Sequence, residues 1–107
     1  MQFEKIRGSY KKISKLIMGN DNPVDYEQAS VLWNHWIEAD CNAFNNAHIY
    51  ACGSMESLLG QRQKSRYILK DLVIIAKGAL TPNCNPKSIT LQSSECLDRL
   101  QTESANI

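Results

Sequence analysis

The chain has 107 residues, 43% of them apolar, and its 12 Lys and Arg against 11 Asp and Glu leave a net charge of +1. That size suits one domain and excludes a two-lobed enzyme with a deep interdomain cleft. The longest unbroken apolar run, Leu72 to Ala76, is far short of a membrane span, and no apolar stretch follows Lys5, Arg7, Lys11 and Lys12 to form a secretion signal. A soluble, cytoplasmic protein is expected. Its four cysteines, Cys41, Cys52, Cys84 and Cys96, contain no CxxC pair and read as reduced thiols.

Residues 3–18 carry Phe3, Ile6, Tyr10, Ile13 and Ile17 at intervals of three or four, the spacing of an amphipathic helix. Arg7, Lys11 and Lys15 form its basic edge, and Gly19–Asn20 supplies the stop. A second start follows, with Asn22 as N-cap, Pro23 at the first helical position, and Asp25 and Glu27 where the helix dipole favours acids. No proline follows before residue 59, and no glycine before Gly53. Val31, Ala39, Ala43, Ala47, Ala51 and Met55 alternate with the bulk of Trp33, Trp36, Ile37, Phe44 and Leu58. The pattern predicts one helix over residues 23–59, roughly 50 Å long at about 1.5 Å per residue. Such a helix, apolar on both sides, outruns what a chain of this size can cover, so it predicts a homodimer.

Gly60 closes that helix. Residues 62–79 predict a third, with Arg66, Lys70 and Lys77 within about 80 degrees of Arg62 and with Ile68, Leu72, Ile75 and Ala79 opposite. Two prolines and two asparagines make residues 80–87 a loop. A last helix over 88–102 buries Ile89, Cys96, Leu97 and Leu100, and the tail 103–107 frays. No strand is patterned. The expected fold is all-α: one domain of three or four helices around a long central one.

Charge is segregated along the chain. Lys5, Arg7, Lys11, Lys12 and Lys15 outweigh Glu4 in the first twenty residues, and residues 21–61 hold six acids and no Lys or Arg. Arg62, Lys64, Arg66, Lys70 and Lys77 then outweigh Asp71. Basic residues along one helix face can follow a phosphate backbone, and nothing in the chain supplies base-reading chemistry. The candidate nucleic-acid contacts are Arg62, Lys64, Arg66, Lys70 and Lys77, supported by Lys11, Lys12 and Lys15.

Catalytic signals are weak. His35 and His48 point to different faces of the predicted helix, and no nucleophile elbow, phosphate loop, zinc-protease or dinucleotide fingerprint occurs. His48 and Cys52, one turn apart, could share a metal, but Cys41 is two turns away, so no metal or other cofactor is expected. Trp33 and Trp36 read as core or dimer contacts. A non-enzyme is expected.

Tyr26-Glu27-Gln28-Ala29, then Cys41-Asn42-Ala43-Phe44-Asn45-Asn46-Ala47 and Ser57-Leu58-Leu59, resemble the long middle helix of the small nodavirus RNA-silencing suppressors. The resemblance implies an antiparallel helical homodimer that lies on one face of double-stranded RNA regardless of sequence. It would hide viral duplexes and small interfering RNA from silencing in the host cytoplasm, where a host silencing protein could be a further partner. That family's middle helix carries its RNA-contacting basic residues, whereas Tyr26 to Leu59 holds none. The positive charge would therefore come from the two flanking basic blocks. The alternatives are a small phage- or plasmid-type DNA-binding regulator and a helical protein–protein adaptor.

Overall fold

The computed structural model describes residues 1–21, 25–66, 68 and 70–107. Asn22 and Pro23, expected to cap and open the central helix, lie outside these residues. The chain is not all-α. It builds an antiparallel hairpin from β1 (Phe3–Lys5) and β2 (Lys12–Ser14), then a parallel sheet of β3 (Met18–Gly19), β4 (Ala43–Asn45) and β5 (Val73–Ile75). Three helices accompany the sheet: α1 (Tyr26–Glu38) between β3 and β4, α2 (Ser54–Arg66) between β4 and β5, and α3 (Pro86–Leu100) after β5.

Each departure from the predicted helices has a local cause. Over residues 3–18, a turn holding Gly8 with Ser9 N–H on the Ile6 carbonyl (3.1 Å) sends the chain back on itself, and Phe3 pairs with Ser14. The predicted central helix stops at Glu38. There Cys41 N–H bonds the Trp36 carbonyl (3.1 Å) and Asp40 N–H bonds the Ile37 carbonyl (3.0 Å), with Asp40 at φ 58°. This is the double bond pattern that ends helices on a left-handed residue, here with aspartate rather than glycine in that place. Without a helix over 23–59, the argument for a homodimer loses its premise. The predicted helix over 62–79 stops at Arg66, and Val73-Ile74-Ile75 forms a strand. A short β-branched run buried on both faces is the mark of a parallel strand.

The strands run in sequence order, β3-β4-β5. Crossovers between parallel strands are right-handed, and two that step the same way put α1 and α2 on one face of the sheet. Phe44 and Ile74 point to that face and join Ala29, Trp33, Met55, Leu59, Leu72 and Leu100 in the main core. Trp33 stands edge-on to Phe44 at 6.4 Å and donates its indole N–H to Asn20 Oδ1 at 3.0 Å. Trp36 donates to the Ala43 carbonyl (3.2 Å), so both tryptophans serve the fold internally. Ala43, Val73 and Ile75 point to the other face, where Ile13 of the hairpin meets them.

Gly60 does not end a helix. It sits inside α2, where a Cβ would collide with the Arg99 carbonyl, so its lack of a side chain permits the close approach of α2 and α3. α3 opens on Asn85, whose Oδ1 accepts Ser88 N–H (2.9 Å), with Pro86 at its first position.

Candidate active site

Parallel sheets offer ligand sites at the carboxyl ends of their strands. The hairpin occupies the other end. Ser14 N–H bonds Asn42 Oδ1 (2.9 Å), the Asn42 amide returns a bond to the Lys12 carbonyl (2.9 Å), and Lys11 Nζ caps the Leu72 carbonyl (2.7 Å). Asn42 and Leu72 are the residues that precede β4 and β5, so the amino ends are covered.

At the carboxyl ends the ladder continues briefly. Asn46 N–H bonds the Ile75 carbonyl (2.9 Å), and His48 N–H bonds the Lys77 carbonyl (2.8 Å). That second bond fixes the segment after β4 against the segment after β5. It brings Tyr50 to Lys77, whose Nζ donates to the phenolic oxygen at 2.9 Å and lies 5.0 Å from the ring centroid. The pair borders a cleft of about 630 Å³ whose walls include His48, Ile49, Leu80, Pro82 and Gln92.

The turn after Tyr50 is strained. Ala51 (φ 46°), Cys52 (φ 54°) and Gly53 (φ 91°) follow one another in the left-handed region. Such conformations cost about 1–3 kcal/mol at each non-glycine residue and persist only where the surroundings impose them. Ser54 Oγ bonds the Ala51 carbonyl (2.6 Å), and Arg99 of α3 fills the space beneath Gly53.

Arg99 also reaches a fully buried carboxylate. Its Nη1 lies 3.2 Å from Glu56 Oε2 and 3.2 Å from the His48 carbonyl. Cys96 donates its thiol proton to Glu56 Oε1. Burial, then the Glu56 carboxylate, pushes the Cys96 thiol up to about 12. His48 Nε2 meets Glu95 Oε2 at 2.5 Å.

Of the eight basic residues singled out in the sequence, only Lys77 enters this site, and it does so from the end of a strand. Lys11, Lys64 and Lys70 line a separate cleft of about 480 Å³ beside Gln63 and Asn106. Burial lowers Lys11 below the ordinary lysine value, against the opposing pull of Asp71. Arg62 is half-buried and donates to Asn34 Oδ1, and Lys15 pairs with Glu4 (3.1 Å). Lys12 and Arg66 are exposed on β2 and at the end of α2. The stripe depended on one continuous helix, and α2 ends before Lys70 and Lys77.

Sequence reasoning does not group Tyr50, His48, Glu95, Arg99 and Glu56. The available signal was position: Lys77 directly follows the apolar run 72–76, and Tyr50 closes the polar segment after Ala43-Phe44. Among the described residues, no group of three or more His, Cys, Asp or Glu is placed to hold a metal ion. None of the described helices is long and apolar enough to cross a membrane.

No protein-family model matches the sequence, and no curated protein matches it. Solved structures do match. An aldo-keto reductase of Bacillus halodurans in its holo form superposes with a TM-score of 0.81 at 22% identity, over 98% of this chain and 38% of that one. The glycerol dehydrogenase of Gluconobacter oxydans gives 0.81 at 16% identity, over 96% and 37%. An aldo-keto reductase of Klebsiella pneumoniae in complex with NADPH gives 0.77 at 20% identity, over 98% and 38%. The chain thus spans about two-fifths of these proteins, and the likeness is one of fold. It overturns the resemblance to nodavirus suppressors, since a chain built on a parallel sheet and matching these folds is not a long-helix dimer. Double-stranded RNA binding, silencing suppression and a host-cell setting fall with that resemblance. The DNA-regulator and adaptor alternatives gain no support from these neighbours. The reading as a non-enzyme is corrected as well: the fold is shared with oxidoreductases, and a Tyr–Lys pair stands at the strand ends.

Proposed function

We propose that the Tyr50–Lys77 pair polarises and protonates a carbonyl oxygen, and that the chain acts in carbonyl–alcohol interconversion of the aldo-keto reductase kind. The observation that carries this reading is the 2.9 Å bond from Lys77 Nζ to the Tyr50 oxygen beside an open cleft. As a hydride from a reduced co-substrate outside this chain reaches the carbonyl carbon, negative charge develops on the oxygen, and a phenol in that position can donate its proton there. The neighbouring ammonium stabilises the phenolate left behind, and water or substrate returns the proton when the alcohol departs. In the oxidative direction the same phenolate takes the alcohol proton. Ile49, Leu80 and Pro82 on the cleft walls suit an aldehyde or ketone with an apolar substituent.

One fold neighbour is in complex with NADPH, and a dinucleotide needs a cradle for its diphosphate. Among the described residues, no glycine-rich turn leads into a helix beside the cleft, and the first turn of α1 carries Glu27 behind the Asp25 cap. Lys11, Lys64 and Lys70 line the other cleft. These residues do not form a diphosphate cradle, and hydride transfer is assigned to none of them. Two of the four free thiols, Cys52 and Cys84, are exposed, which suits a reducing compartment, and we place the protein in the cytoplasm.

The test is aldehyde reduction by the full chain with NADPH in excess as a diffusing hydride donor, read as loss of its absorbance. Tyr50→Phe is expected to lower kcat by about 10²–10⁴-fold, the range of a lost general acid, while the fold is kept. No reduction by the wild-type chain, or an undiminished rate in Tyr50→Phe, would overturn the proposal.

A further inference from the structure

Two strained loops carry the pair, and one helix holds both. After Tyr50 come the left-handed Ala51, Cys52 and Gly53, and two residues after Lys77 comes Ala79, left-handed at φ 57°. None of the first two nor Ala79 is a residue that takes this conformation readily. On the Lys77 side, Gln92 Oε1 accepts Ala79 N–H at 2.6 Å and lies against Gly78, where a Cβ would come within 3.0 Å of it. On the Tyr50 side, Arg99 Nη1 donates to the His48 carbonyl, and its guanidinium packs under Gly53, where a Cβ would press on it. Glu95 holds the His48 ring at 2.5 Å and approaches Arg99 Nη2 at 4.0 Å. Gln92, Glu95 and Arg99 fall within about 60 degrees of one another around α3 at about 100 degrees per residue. Behind them, the buried Glu56 of α2 anchors Arg99 at 3.2 Å.

We infer that this polar face of α3 positions the Tyr50–Lys77 pair, with Arg99 as the principal positioning residue. Neither Arg99 nor Gln92 touches the phenol or the ammonium; each fixes the backbone from which one of them projects. The loops do not relax into commoner conformations because both are bonded to a single rigid element. A displacement of about 1 Å between reacting groups can cost about 10²-fold in rate, so this clamp is where a distant change would be felt. The inference rests on the reading of Tyr50–Lys77 as the reacting pair, and its test includes a readout independent of that reading.

The experiment uses the full chain with Arg99→Lys, with Gln92→Ala, and with the double variant Arg99→Met/Glu56→Gln. The double variant avoids leaving a buried carboxylate without its partner, which could prevent folding. Hydrogen–deuterium exchange would be read over residues 47–54 and 76–80, beside kcat and KM for aldehyde reduction and a thermal melt. The double variant is expected to raise exchange in 47–54 at least tenfold and lower kcat at least tenfold, with KM within about twofold. Arg99→Lys, which keeps the charge against Glu56 but lacks the guanidinium fork, should recover part of both effects. Gln92→Ala should raise exchange in 76–80 alone. Folded variants with wild-type exchange in both loops would overturn the inference, as would a uniform loss of protection across all segments. If the wild-type chain reduces no aldehyde, the proposed function fails, and the exchange pattern alone decides the role of α3.

Discussion

At the amino ends of β4 and β5, the hairpin is tied down by Ser14, Asn42 and Lys11, whose bonds go to backbone and to one another. At the carboxyl ends of the same strands, the backbone departs into left-handed turns, and the polar atoms of Tyr50 and Lys77 meet at the edge of a cleft. The strands are shared, so the difference lies in what the connecting segments do with their polar groups. One end uses them to close the fold. The other holds a phenol and an ammonium in place through strained loops that a distant helix supports.

The largest expected effect removes the frame that both ends share. Phe44 is fully buried between the sheet and α1, and Phe44→Ala should cost about 3–5 kcal/mol in urea denaturation, enough to lose both ends together. Asn42→Ala separates them. It removes the side chain that bonds Ser14 N–H and the Lys12 carbonyl, and should cost about 1–3 kcal/mol while leaving the Tyr50–Lys77 geometry, and hence kcat of the folded fraction, unchanged. A matching fall in kcat would mean that the two ends are coupled.

Alkaline pH sharpens the comparison through Cys96. Its thiol is raised from 9.0 to about 12 in the folded chain, chiefly by burial. The unfolded chain therefore loses this proton first, so the contribution is complete below pH 9 and is lost as pH rises toward 12. The slope has a ceiling of about 1.4 kcal/mol per pH unit, and Cys96→Ala should remove it from urea melts taken across that window. Smaller still is Asn85→Ala, which removes the N-cap of α3 and should cost about 1 kcal/mol by the same measurement.

Some of this was legible in the chain. The last helix is expected over 88–102 and α3 is found at Pro86–Leu100, but Asn85 and Pro86, read as loop, are its N-cap and first residue. The central region was misread because Ala39, Ala43, Ala47 and Ala51 recur every four residues, as on a helix face, while belonging to a cap, a strand and two turns. The stop at Asp40 carries no glycine or proline, because aspartate takes the left-handed position there. β4 is only three residues long, too short for a period to show. Val73-Ile74-Ile75 was visible as an apolar run and was absorbed into a helix because flanking lysines extended the pattern. The site was less legible than the fold. Tyr50 and Lys77 are 27 residues apart, and only the pairing of β4 with β5 brings them together.

The measurement that bears most directly on the account sets one end of the molecule against the other. Aldehyde reduction would be compared in Lys77→Met, at the carboxyl ends, and in Lys64→Ala/Lys70→Ala, which alters the other basic cleft. A loss of about 10²-fold or more in the first, with the second within about twofold of wild type, is the predicted result. Equal rates in Lys77→Met and wild type, or a loss confined to the Lys64/Lys70 variant, would contradict it.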